Sequence, residues 1–258
     1  MDWTGDGARC SKTQRRGFSL LELLAVIAII GLLAALLLPA LSKAKAHAHN
    51  AGCKNQLRQI GIALRMYLSD FNRYPPLWDN DTSQVCFDKL VPYNPLVWTN
   101  TAWHCPAYIR NHGLVFYRPN EIPDVATSYA YNWRGMASGG PGTPRSLQLG
   151  LGHLSKDSPR EPEVSAPCEM YTVGDVRPTI EGNRLLGNIK MTSYSFGTLK
   201  EAPPPHGQGY NVLFGDGHVA LVKRRDFLFP PRSAPHWHRD NQPHPEVWAP
   251  KSQWAVQE

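Results

Sequence analysis

Residues 18–41 read FSLLELLAVIAIIGLLAALLLPAL, and these 24 residues decide the architecture. Ser19 and Glu22 are their only strongly polar members. As helix, at about 1.5 Å per residue, the run spans roughly 36 Å, enough to cross a bilayer core of about 30 Å. A secretory signal has an apolar region of about 7–15 residues, so this longer run reads as an anchor, although Ala44-Lys45-Ala46 would pass as a small-residue cut site. An ionisable group inside such a span costs about 2.5–3.5 kcal/mol on insertion scales and needs a partner, which singles out Glu22. The bland alternative is an incidental glutamate near the interface, where snorkelling lowers the cost. Pro39 cannot donate its backbone N–H and is expected to bend or loosen the helix.

Toward the N-terminus the run is preceded by Arg15-Arg16-Gly17, so that a basic pair and a glycine come before the apolar residues. Glycine lets an extended backbone enter a protease cleft closely. Lys12, Arg15 and Arg16 on one side and Lys43 and Lys45 on the other leave orientation only weakly decided by charge. The string Arg15-Arg16-Gly17-Phe18-Ser19-Leu20-Leu21-Glu22 closely resembles the class III signal of type IV prepilins and type II secretion pseudopilins.

That resemblance implies a cytoplasmic leader at 1–17, with Arg15 and Arg16 read by a prepilin peptidase that cuts between Gly17 and Phe18 and methylates Phe18. It implies that Glu22 neutralises the free amine of Phe18 on a neighbouring subunit, which makes it an assembly residue. The expected partners are copies of the chain and other pilins or pseudopilins, prepilin peptidase and the inner-membrane assembly machinery. The expected place is the bacterial inner membrane, crossed once with the head outside the cytoplasm, and then a periplasmic or surface filament.

Toward the C-terminus the helical pattern continues over 42–73 but becomes amphipathic. Ala46, Cys53, Leu57, Ile60, Leu64, Tyr67 or Leu68, and Phe71 recur at three- and four-residue steps and should face the head, while Lys43, Lys45, Lys54, Arg58 and Arg65 keep other faces wet. Tyr74-Pro75-Pro76 should end the helix. The expected fold is α+β and pilin-like, a long N-terminal helix packed on a small antiparallel sheet with extended loops.

Most of the 23 prolines and 21 glycines lie beyond residue 72, so a head at 74–228 should be built from short strands and loops. Trp103-His104-Cys105-Pro106 and Thr127 to Asn132 resemble islands of large prepilin-like proteins. Residues 137–167 look like a Gly/Pro/Ser-rich surface excursion, followed by a strand near Glu169–Val173 that ends at Gly174-Asp175. Tyr210–Phe214 and His218–Val222 read as strands joined at Gly215-Asp216-Gly217, a strong hairpin signal. His206, nine residues, then Asp216-Gly217 matches an H-x9-DG signature of the same prepilin-like group.

For His206 and Asp216 two readings stand. In one, His206 and Asp216 ligate a metal, with His218 or Asp175 as further ligands; in the other, favoured, Asp216 caps backbone N–H groups in a turn. Related pseudopilins hold calcium in a head loop, so calcium is the one cofactor expectation, with the Asp79-Asn80-Asp81 turn as a further candidate. No CxxC zinc spacing exists. Cys53, Cys86, Cys105 and Cys168 follow the anchor, and Cys86 with Cys105 is the preferred pair because both lie in loop-rich sequence. Residues 229–258, with six prolines, three histidines and three tryptophans, read as an extended strap, with a His cluster or aromatic ligand patch as the alternative.

Net charge is +6, and +4 without residues 1–17, too thinly spread for a dedicated nucleic-acid site. No GxSxG, HExxH or phosphate-binding loop appears, which argues against an enzyme. The leading expectation is a structural filament subunit, and the alternative is a filament-displayed or membrane-anchored adhesin or ligand-binding module.

Overall fold

A computed structural model describes residues 19–94, 104–108, 128–136, 149–152, 154–175, 179–181, 184–186, 200–201, 204–207 and 209–248. The chain divides into two units, residues 1–45 and 46–258. One helix, α1 (Leu20–Phe71), supplies the described part of the first unit and the opening of the second. The anchor and its amphipathic continuation are therefore one uninterrupted helix, which runs through Pro39.

Within the second unit the expected stripe is buried at Cys53, Leu57, Ile60, Leu64, Tyr67 and Leu68, joined by Gly61 and Ala63. Its two ends differ from expectation, since Ala46 and Phe71 are exposed. The Phe71 ring packs on Tyr67 of its own helix at 4.5 Å between centroids. The helix also stops before the prolines: Asn72 takes φ +51° while its N–H donates to the Leu68 carbonyl, the left-handed terminus that asparagine tolerates.

After β1 (Trp78–Asp79), β2 (Gln84–Val85) and the short α2 (Cys86–Leu90), the main sheet draws on distant segments. β3 (Tyr129–Tyr131), β4 (Tyr171–Asp175), β8 (Gly209–Phe214) and β9 (Val219–Lys223) lie in that spatial order, all antiparallel. A row Ala130, Gly174, Val212, Ala220 fixes the register across it. β5 (Thr179–Glu181), β6 (Arg184–Leu186) and β7 (Lys200–Glu201) make a separate three-stranded sheet in the order β6-β5-β7.

β8 is buried at every residue, which requires cover on both faces. On one face Leu213 lies against α1, so close that a Cβ on Gly61 would come 2.7 Å from its Cδ1. On the other, Tyr210 and Tyr171 pack on Phe227 and Trp237. These belong to α3 (Arg224–Leu228) and α4 (Pro230–Trp237), so residues 230–237, the opening of the segment expected as an extended strap, are helical and contribute to the core. Pro230 and Pro231 sit in the first turn of α4, where a missing N–H costs nothing. Trp237 is fully buried, and its indole N–H donates to the Phe227 carbonyl at 3.2 Å.

The excursion at 137–167 is only partly loop-like. Of its described residues, Leu151, Ser158 and Val164 are buried, and two 3-10 turns, Ser155–Asp157 and Glu161–Glu163, shape it. Residues 137–148 and 153, together with Trp103, Thr127 and 249–258, lie outside the described residues.

Candidate functional site

The N-terminal segment carries two devices. From Leu20 to Leu41 the large apolar side chains of α1 are exposed, among them Leu20, Leu24, Ile27, Ile30, Leu37 and Leu41. This helix is long and apolar enough to cross a membrane. At its start, Ser19 Oγ accepts the Glu22 N–H at 3.2 Å while Glu22 Oε2 accepts the Ser19 N–H at 3.0 Å. This is a reciprocal capping box, S-x-x-E, which satisfies two of the backbone donors that a helix start leaves open. Glu22, expected as an assembly residue, therefore also has a local partner, which the Ser19-x-x-Glu22 spacing encodes. Arg15, Arg16, Gly17 and Phe18 lie outside the described residues.

In the head, the hairpin forms where the turn residues place it, with Gly217 at φ +96° and the Phe214 N–H donating to the His218 carbonyl at 2.9 Å. Asp216 Oδ1 accepts the His218 N–H at 3.0 Å and faces its ring Nδ1 at 2.7 Å. Slight burial acts to raise the Asp216 pKa, but these contacts outweigh it and hold the carboxyl below its usual range. Asp216 thus accepts one backbone N–H within the turn.

His206 has different partners. Its side chain is 1% exposed, and its Nε2 stands 3.2 Å from Asp175 Oδ2 and 3.2 Å from Cys105 Sγ. Asp175, at the end of β4, also accepts the Asn211 N–H at 2.6 Å. Burial pushes the Asp175 carboxyl above its ordinary range, against the opposing pull of His206. Of the metal candidates Asp216, His218 and Asp175, the first two are paired with each other in the hairpin turn and the third is paired with His206.

The cysteine pairing corrects the sequence reading. Cys53 bonds to Cys105, with 4.8 Å between their Cα atoms, and Cys86 is free. Cys53 lies on the buried stripe of α1, which brings it to Cys105, whereas Cys86 opens α2 in the core, where burial pushes its thiol pKa up. Cys168 is free and exposed. Loop-rich sequence around two cysteines says nothing about which helix face they will meet.

Asp79 Oδ1 accepts the Asp81 N–H at 3.0 Å, and its carboxylate pairs with Lys89, whose hydrogen bond holds it at a pKa of about 2. The cation at this turn is thus Lys89 of α2. In the tail, His244 stands between Asp240 and Glu246 at 2.6 and 2.7 Å, while His238 accepts the Met136 N–H on Nε2 and donates from Nδ1 to the Gln242 carbonyl.

Against known proteins, a prokaryotic N-terminal methylation motif matches residues 12–38, and a family of unknown function, DUF1559, matches residues 42–114. The type II secretion system core protein G of Pectobacterium carotovorum is 42% identical over 62 residues, which are 24% of this chain and 40% of that protein. The protein of the same name from Aeromonas hydrophila is 41% identical over 80 residues, 31% of this chain and 52% of its own length. The type IV major pilin protein PilA of Myxococcus xanthus is 38% identical over 61 residues, 24% of this chain and 28% of that pilin. The chain thus spans about half or less of the curated relatives it matches. No solved structure matches it. With the methylation motif overlapping the start of a 52-residue helix, and with these relatives matching part of its length, the chain resembles prepilins and pseudopilins.

Proposed function

We propose that the chain is a structural subunit of a type IV pilus or type II secretion-like filament, held in the membrane by the apolar half of α1 until it assembles. The observation that carries this reading is the exposed apolar run from Leu20 to Leu41, opened by Glu22 and overlapped by the methylation motif. Such a surface has two stable environments, lipid and the apolar helices of other subunits. A subunit that moves from one to the other keeps its apolar area out of water throughout. In this reading prepilin peptidase cuts between Gly17 and Phe18, guided by Arg15 and Arg16, and methylates Phe18. The partners are copies of the chain, related pilins and the inner-membrane assembly machinery, with the head outside the cytoplasm.

Mass spectrometry of the membrane form tests it. The expected N-terminus is N-methylated Phe18, and any other start would overturn the processing step. Calcium remains a separate proposal for the head, supported only by the resemblance to pseudopilins that hold it. A calcium-dependent rise in the melting temperature of the full chain in detergent is its readout, and no rise removes it.

A further inference from the structure

Three metal-ligating side chains from separate segments, Cys53 of α1, Cys105 and His206, converge in the second unit, and Asp175 of β4 stands beside the histidine. One ligand atom each from Cys53, Cys105 and His206 lies within 4.8 Å of the others. Nε2 of His206 is 3.2 Å from Cys105 Sγ and 3.2 Å from Asp175 Oδ2. In a tetrahedral zinc site, bonds of about 2.3 Å to sulfur and 2.0 Å to nitrogen and oxygen put neighbouring ligands about 3.5 Å apart for N and S and about 3.3 Å for N and O. The spacing around His206 is that of two edges of such a tetrahedron.

A second observation points the same way. Asp175 Oδ1 is buried without a hydrogen-bond partner, on a side chain with no exposed area. A carboxylate left half-satisfied in a dry site is costly, and a cation is the partner that would repay it. The other candidate cluster, His238, Asp240 and His244, lacks this feature, because both ring nitrogens of His238 are already engaged with backbone groups.

We propose that, before Cys53 and Cys105 are oxidised, the chain binds one zinc ion through Cys53, Cys105, His206 and Asp175, so that the site has two closures, zinc when reduced and a disulfide when oxidised. A dithiol reductant supplies two electrons and two protons, becomes a disulfide itself, and leaves Cys53 and Cys105 as thiols. Zinc then displaces both thiol protons to solvent. Nε2 of His206 binds the ion through its lone pair, in the neutral tautomer whose one ring hydrogen is on Nδ1. The ion holds α1 to β4 and to the His206 turn while the covalent link is absent, and its binding energy becomes folding energy.

The test uses the full chain in detergent, kept reduced by a phosphine without oxygen, and cobalt(II) as the probe. One equivalent is expected to give the visible bands of a tetrahedral ion with thiolate charge transfer, bleached by added zinc(II), while the oxidised chain gives none. His206→Gln, which leaves the disulfide intact in the oxidised form, should weaken cobalt binding by at least about tenfold, and Cys105→Ser should lose at least the share of the charge-transfer band that its thiolate supplies. Either of two results overturns the site. One is the absence of tetrahedral bands at one equivalent, whether the reduced chain stays folded or unfolds and is not refolded by zinc. The other is equal binding by both variants, which would assign the signal to Cys10, Cys86 or Cys168.

Discussion

Glu22 and Ser19 hold each other's backbone N–H groups at the first turn of α1, at 3.0 and 3.2 Å. One carboxylate thus has a local duty at the helix start and a proposed duty toward the next subunit, and substitutions separate them. Glu22→Gln retains an oxygen that can accept the Ser19 N–H but loses the charge that would face an amine. Glu22→Ala loses both, at about 1 kcal/mol of helix stability. We expect both variants to be inserted and cut but scarce in sheared filaments. If Glu22→Gln assembles like the parent, the cap and not the charge is what the filament needs.

The Cys53–Cys105 bond closes a long loop whose ends are 52 positions apart. Constraint of the unfolded chain over that length is worth about 4 kcal/mol in the chain-entropy account. Cys105→Ser should lower unfolding free energy by roughly that amount under oxidising conditions, measured by urea denaturation. Non-reducing peptide mapping should recover a Cys53–Cys105 pair and a free Cys86; a Cys86–Cys105 peptide would contradict the pairing.

Trp237 seals the sheet face opposite α1, edge-on to Tyr171 at 5.6 Å and tilted on Phe227 at 5.0 Å between centroids. Trp237→Ala should cost about 3–5 kcal/mol, with Trp237→Phe costing less because the lost hydrogen bond to Phe227 is worth only about 1 kcal/mol. Thermal melts of the two variants give the comparison.

His238 supplies a pH dependence. Burial depresses its pKa from 6.5 to about 4, so the unfolded chain takes up a proton at a pH where the folded chain does not. Its contribution to stability is complete above 6.5 and is lost as pH falls toward 4, by about 3 kcal/mol at the low end. Nearby Asp240 and Glu246, whose pKa values are lowered, lose stability in the same direction at lower pH, whereas His244, raised by its two carboxylates against the effect of burial, gains charge. Replacing His238 with Asn should flatten the slope between pH 6.5 and 4; an unchanged slope would assign it to the carboxylates.

The parts legible in the sequence were those encoded by short-range physics. A period of 3.6 with one apolar face gave α1 and most of its buried residues, and Gly215-Asp216-Gly217 gave the hairpin to within a residue of its observed strands. The pairing of Cys53, the meeting of His206 with Asp175, and the burial of Trp237 were not legible, because each depends on which distant surfaces the sheet brings together. The helix of Pro230–Trp237 was hidden for a different reason: three prolines in eight residues suggest extended chain, yet two of them fall in the one turn where a helix accepts them.

The closing of the sheet by α3 and α4 sets a timetable. Tyr171, Tyr210 and Phe214 leave the ribosome well before Phe227 and Trp237, so a nascent head has one bare aromatic face until the last of its core arrives. Completing this core therefore requires residues as late as Trp237, and a chain halted before them leaves apolar surface uncovered, which favours aggregation.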